Sequence, residues 1–376
     1  MIDFLIIGGG VIGTALAREL SHCKGRTVLL EKGRSLSGVQ STHNSALVHP
    51  PAMMPPDKGK LKSVLGKKGS FLHQQLARHF DVPVFHNGAI VTARTEEELQ
   101  KLHRLKQQSE AEGIDTITLC SREELLEREP NLHPDVKGGL FMPEAMSADT
   151  SVLTERLAAN ARLNGAEIYT NTEVTALKKS AFGFEAETKE GRVFQSRFVI
   201  NAAGAASGFI AGMIEDKVPF EPVSRRGEYL VLSRQAAGFI NHIIYPPPTS
   251  LTKGVLIIPQ PDGTIRLGPT DTQQKDFRSA LPTKEGIDQI RHEVNMLAVE
   301  LPYHFEERYY AGIRSSITDP DFYIRPSEAY PRLIHLAGLD SPGVTASPAV
   351  ASYVLTEIIQ NIEPVERKTE PNLFGY

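Results

Sequence analysis

Three glycines, Gly8, Gly10 and Gly13, have the first spacing in this chain that could do chemistry. Phe4-Leu5-Ile6-Ile7 runs into Gly8-Gly9-Gly10-Val11-Ile12-Gly13 and then into the helix-forming run Thr14 to Leu20. A strand, a GxGxxG turn and a helix in that order place backbone N–H groups and the positive end of a helix dipole where a pyrophosphate can lie. Gly8 permits the tight turn, Gly10 lets phosphates approach the backbone, and Gly13 lets helix and strand pack closely. Thr27-Val28-Leu29-Leu30 reads as a second buried strand ending on Glu31, about 20 residues on, where a carboxylate can accept from both hydroxyls of an adenosine ribose and disfavours a 2′-phosphate. By themselves these residues specify a dinucleotide site and leave NAD and FAD both open.

The elements that must hold such a site are drawn from 376 residues, more than one simple core usually contains, so two intimately joined domains are expected. With 40% hydrophobic and 23% charged residues the composition is that of an ordinary globular protein, and a net charge of −4 gives no general pull toward nucleic acid or anionic membrane. Cys23 and Cys120, the only cysteines, exclude a disulfide framework and any all-cysteine metal site within the chain, and no metal is expected. The apolar start, short and without a basic leader, is not expected to act as a signal peptide, and no apolar run approaches the length of a membrane span. A cytoplasmic location is the expectation.

Along the chain, Lys32 to Asn44 reads as a polar loop, and prolines 50, 51, 55 and 56 bar a helix until about Lys58. Lys58 to Phe80 has helical spacing interrupted by Gly66 and Gly69, and its lysines suit a solvated face or an anion or membrane patch. Val82 to Arg94 reads as a strand pair. Thr95, Ser121 and Asp149 each look like a helix N-cap. Four β segments follow between Ala166 and Ile200, the last breaking into Asn201-Ala202-Ala203-Gly204, and from Pro222 strands alternate without helices as in a separate antiparallel sheet. Lys284 to Leu301 reads as a helix, Tyr309 to Arg314 and Leu333 to Gly338 as strands, and a last helix ends near Ile362.

In order and spacing these pieces resemble the flavin-dependent D-amino-acid-oxidase-like superfamily, and within it the glycerol-3-phosphate dehydrogenase/oxidase branch, with L-2-hydroxyglutarate oxidases as neighbours. The matching stretches are Ser41-Thr42-His43-Asn44-Ser45-Ala46-Leu47-Val48-His49, Asn171-Thr172-Glu173-Val174, Asn201-Ala202-Ala203-Gly204, Arg226-Gly227-Glu228-Tyr229, Thr252-Lys253-Gly254-Val255, Leu267-Gly268-Pro269-Thr270, Ala311-Gly312-Ile313-Arg314 and Ala337 to Ala349. Ala46 and Ser315 stand where the branch usually has glycine and proline, and the cysteine-rich C-terminal extension of longer relatives is expected to be absent.

The resemblance implies an α/β fold in which a Rossmann-like FAD-binding domain (1–82, 145–215 and 305–376) is interrupted by an antiparallel β-sheet substrate domain of α+β type (83–144 and 216–304). FAD contacts are implied for Gly8, Gly10, Ile12, Gly13, Glu31, Ser41, Thr42, Ser45, Leu47, Val174, Gly204, Gly312, Leu339, Asp340, Gly343 and Thr345. His49 is implied as the base that takes a hydroxyl proton while hydride passes to the flavin, a role suited to an imidazole that is neutral near pH 7. His43 is the rival, and a covalent flavin link through either histidine is an alternative. Ser45, His49, Lys253, Arg314 and Ser341 are implied to bind a small anionic substrate, Arg314 through paired hydrogen bonds and Lys253 as a point charge.

The expected activity is oxidation of sn-glycerol 3-phosphate to dihydroxyacetone phosphate, with oxygen or a quinone as electron acceptor. Alternatives are an L-2-hydroxyglutarate oxidase, an amine or imino-acid oxidase subunit, and a non-catalytic FAD subunit of a complex. No nucleic-acid partner is expected. A partner subunit or a peripheral contact with the inner face of the membrane is a further expectation.

Overall fold

A computed structural model of the chain describes residues 1–38, 40–54, 60–247 and 254–376. The opening strand Ile2–Ile7 lies in a sheet with parallel neighbours Thr27–Leu30 on one side and Val193–Asn201 on the other. Glu167–Tyr169 extends it beyond Thr27–Leu30, and Leu333–Ala337 runs parallel to the second half of Val193–Asn201. Phe4 and Ile6 bury one face and Leu5 and Ile7 the other, as a parallel sheet covered on both sides requires. The hairpin Val174–Ser180 and Gly183–Thr188 and the strand Tyr323–Pro326 complete eight strands among the described residues.

Helix α1 (Val11–Ser21) packs under this sheet with apolar residues of α2 (Lys60–His79). Helix α2 is unbroken where the two glycines predicted interruption. A Cβ on Gly69 would overlap the Thr345 carbonyl oxygen, and one on Gly66 would meet Met54 Sδ at 2.7 Å, so the glycines are contact points for a close neighbour. The expected caps of α3 (Glu96–Ala111) and α4 (Arg122–Arg128) form as capping boxes, Thr95 with Glu98 and Ser121 with Glu124, and Asp149 caps α5 (Thr150–Leu163). A short α6 (Ser207–Ala211) follows the Asn201–Gly204 turn.

A nine-stranded sheet takes Ala89–Ala93, Thr118–Ser121 and Gly138–Met142 from the first half of the chain and the strands between Pro222 and Ile317 from the second. It is antiparallel except where Ile243–Tyr245 runs parallel to Ala89–Ala93. Glu306–Ile317 pairs along its length with Pro222–Leu232, so this sheet continues past the expected boundary at 304. Val84–Phe85 and Ala89–Ala93 are not partners of one another: the first joins Met146–Ala148 and Leu47–Val48 in a three-stranded sheet. Helix α7 (Lys284–Val294) ends earlier than the spacing to Leu301 suggested, and α8 (Gly343–Tyr353) continues to Ile362 through a π-helical stretch, Val354–Ile359. Among the described residues no helix is long and apolar enough to cross a membrane.

Candidate active site

The glycine turn is built as its spacing requires. Gly8 has φ of +114°, and a Cβ there would lie 2.5 Å from the Ala202 carbonyl oxygen. A Cβ on Gly13 would overlap the Gly8 carbonyl oxygen, so only glycine lets α1 start this close to the strand. Glu31 Oε2 accepts from the Gly9 amide at 2.6 Å and Oε1 from the Gly33 amide at 2.7 Å. The carboxylate therefore braces the turn and keeps further lone pairs for a ribose. Ser41 Oγ accepts from the Val11 amide at 2.9 Å, at the head of α1.

These residues open onto a cavity of about 710 Å³. Its wall contains Gly8, Gly10, Ile12, Glu31, Ser41, Ser45, Leu47, Gly204, Gly312, Leu339, Asp340, Gly343 and Thr345, together with His43, His49, Arg314 and Ser341. Gly13, Thr42 and Val174 stand outside it. The Thr42 hydroxyl donates to the Ser37 carbonyl, and Val174 is buried with Leu177 and Phe184 in the sheet hairpin. Beside Val174, the Thr172 amide donates to the Glu31 carbonyl at 2.9 Å, which sets that turn against the acidic residue. Lys253 lies outside the described residues.

His49 follows directly on the short strand Leu47–Val48 and is buried. Its amide donates to Thr345 Oγ1 at 3.1 Å, Nδ1 lies 2.9 Å from Tyr245 Oη, and Nε2 lies 3.0 Å from Ser341 Oγ. Tyr245 is wholly buried, and burial pushes its phenol well above the ordinary tyrosine value, so the hydroxyl keeps its proton. The loop before His49 is held by backbone contacts. Asn44 O accepts from Arg266 Nη1 at 2.8 Å and Tyr310 Oη at 2.7 Å, and a Cβ on Gly312 would overlap the His43 carbonyl oxygen. Ala46, in place of the branch's glycine, keeps the left-handed backbone with φ of +56°.

Arg314 faces Arg225 in the register of two antiparallel strands, a repulsive pairing. Asp271 offsets it: Oδ1 accepts from Arg225 Nε at 2.7 Å, and Oδ2 lies 3.7 Å from Arg314 Nη1. Arg314 Nη2 also donates to the Thr270 carbonyl at 3.0 Å. Asp340, the expected cofactor contact, is paired with Lys62 at 2.7 Å and accepts from Ser316 Oγ at 2.8 Å. Lys62 and Lys67, which pairs with Glu112, are thus not the solvated lysines that the spacing of α2 allowed. Tyr245 and Asp271 escaped the sequence reading, and Lys62 entered it only as one of the lysines of α2. Only Lys62 carried a signal, a charge beside Leu61 on the apolar phase of α2.

The site fits an FAD. A glycine turn in which backbone occupies the Cβ positions of Gly8 and Gly13, an acidic residue just after the second strand and a roomy cavity could supply a pyrophosphate cradle, a ribose acceptor and space for a ring system. Residues 3–356 match the family described as FAD dependent oxidoreductase, and the chain belongs to it. It is an FAD-dependent oxidoreductase, and its relatives narrow the type. It is 31% identical to a glycerol 3-phosphate dehydrogenase of Caloramator mitchellensis over 373 residues, covering 99% of this chain and 77% of that one. The FAD-bound, dithionite-reduced L-alpha-glycerophosphate oxidase of Mycoplasma pneumoniae superposes with a TM-score of 0.91 at 29% identity, over 100% of this chain and 98% of that one. An L-2-hydroxyglutarate dehydrogenase of Salmonella houtenae is 26% identical, covering 95% of this chain and 93% of its own.

Proposed function

We propose that this enzyme oxidises sn-glycerol 3-phosphate to dihydroxyacetone phosphate and passes the electrons to oxygen or a quinone. The observation that carries the reading is that His49 and Ser341, whose Nε2 and Oγ are 3.0 Å apart, line the same cavity as Arg314. Bound FAD supplies a two-electron acceptor for the hydride leaving the carbinol carbon. His49 takes the hydroxyl proton at Nε2, which requires Nδ1 to carry a hydrogen and donate it to Tyr245 Oη. Ser341 orients the imidazole and the substrate hydroxyl. Arg314 grips the phosphate oxygens, with Lys253 as the second cation, and Asp271 holds Arg314 in place before substrate arrives.

Similarity to glycerol 3-phosphate dehydrogenase and oxidase at about the same identity supports this substrate over 2-hydroxyglutarate, whose relative is more distant. The deciding experiment is anaerobic mixing of the FAD-loaded protein with glycerol 3-phosphate, L-2-hydroxyglutarate, lactate, sarcosine and proline. Bleaching of the visible flavin band by glycerol 3-phosphate alone is expected, and bleaching only by L-2-hydroxyglutarate replaces it with the dicarboxylate. Reoxidation in air with peroxide formed identifies oxygen as acceptor. A band that returns only with a quinone identifies the other.

A further inference from the structure

Helix α8 carries Pro348 four residues after Val344. In an unbroken α-helix the amide of residue 348 would donate to the Val344 carbonyl. Proline has no N–H, and its ring pushes that carbonyl aside. The carbonyl is nevertheless paired, because His73 of α2 reaches it with Nε2 at 2.8 Å. A carbonyl only accepts, so Nε2 carries the hydrogen and the tautomer is fixed. Burial holds the His73 imidazolium value down at about 4, which keeps the ring a neutral donor over the working range of pH. One turn earlier on α2, Gly69 brings the two helices into backbone contact at Thr345.

The clamped turn is the one next to the chemistry. Gly343, Val344 and Thr345 line the cavity, Thr345 Oγ1 accepts from the His49 amide, and Ser341 just ahead meets His49 Nε2. We propose that His73 is a positioning residue whose Nε2–H replaces the helical hydrogen bond that Pro348 removes, and so fixes the first turn of α8 against the FAD cavity and His49. The inference uses FAD in that cavity, and only its kinetic arm rests on the proposed role of His49. A first turn that drifts carries the positive end of the α8 dipole away from the cavity and favours the electron-rich reduced cofactor less.

The test is a double-mutant cycle on the FAD-loaded enzyme with His73→Phe, Pro348→Ala, their combination, and His73→Gln. His73→Phe should make the flavin midpoint potential more negative and slow anaerobic flavin reduction on the order of tenfold. His73→Gln, which keeps a donor, and Pro348→Ala, which restores the helical one, should stay close to wild type. The combination should recover both readouts, because the residue-348 amide then serves Val344. A wild-type potential in His73→Phe, or a double variant that keeps the full His73→Phe shift, overturns the proposal. Should His73→Phe fail to fold, a folded double variant with wild-type potential supports it and an unfolded double variant overturns it. A dye-equilibration potential needs no substrate, so a failed glycerol 3-phosphate assignment leaves this result standing.

Discussion

His49 Nε2 and Ser341 Oγ lie 3.0 Å apart across 292 positions of sequence. The contact joins the end of a two-residue strand to the approach of α8, and Thr345 Oγ1 repeats the link through the His49 amide. The loop and the start of the helix are thereby tied together, and the His49 imidazole is held at the wall of the cavity by its ring and by its backbone.

Replacing His49 with Ala should lower the rate of anaerobic flavin reduction by roughly 10²- to 10⁴-fold, the usual size of a general-base contribution, while the visible FAD spectrum is retained. Stopped-flow absorbance measures both. A loss under about tenfold would point to amine-type oxidation, in which no hydroxyl proton has to be removed.

Arg314→Ala should raise KM for glycerol 3-phosphate roughly 10- to 100-fold through the loss of charge-assisted hydrogen bonds, and Arg314→Lys should raise it less. Steady-state kinetics across a substrate range distinguish this from a loss of kcat. An unchanged KM in Arg314→Ala removes the arginine from the substrate site.

His73 makes stability depend on pH with a definite sign. Its value is held at about 4 in the native state against about 6.5 in an unfolded chain, so between those values the unfolded state binds the extra proton. The penalty is absent above pH 6.5, grows as pH falls and is complete below about 4, where it amounts to about 3 kcal/mol. Urea unfolding from pH 7 to 4 should show this component in the wild type and lose it in His73→Gln.

Gly69→Val should cost at least about 1–3 kcal/mol by overpacking, since the added Cβ meets the backbone of Thr345 rather than a flexible side chain. Denaturant midpoints test it. A neutral effect would mean that α2 and α8 separate easily.

Thr95→Ala removes one half of a capping box at the start of α3 and should destabilise the fold by about 1 kcal/mol without altering flavin reduction. Thermal unfolding and the anaerobic assay together check both halves of the expectation.

Much of this architecture was legible because its signals are local. The Gly8–Gly13 turn, Glu31 at a strand end, and the caps at Thr95, Ser121 and Asp149 depend on residues a few positions apart, whose backbone geometry the side chains dictate directly. Val84 and Ala89 misled for the same reason: adjacent β-formers predict strands, but neither propensity nor spacing says which sheet each will join. Gly66 and Gly69 likewise read as breaks, since nothing in a single helix reveals that a second backbone lies against it.

The sequence by itself determined a dinucleotide-binding strand–turn–helix and, through the order of its short stretches, an FAD-dependent oxidoreductase. Only the tertiary structure decided that Tyr245, Ser341 and Thr345 converge on His49, that Asp271 stands between Arg225 and Arg314, and that His73 serves the carbonyl freed by Pro348. The physical reason is the range of the interaction. A cap or a glycine turn is closed within a few residues, whereas a hydrogen bond between positions hundreds apart exists only after sheet order and helix packing have brought its two ends within 3 Å or so.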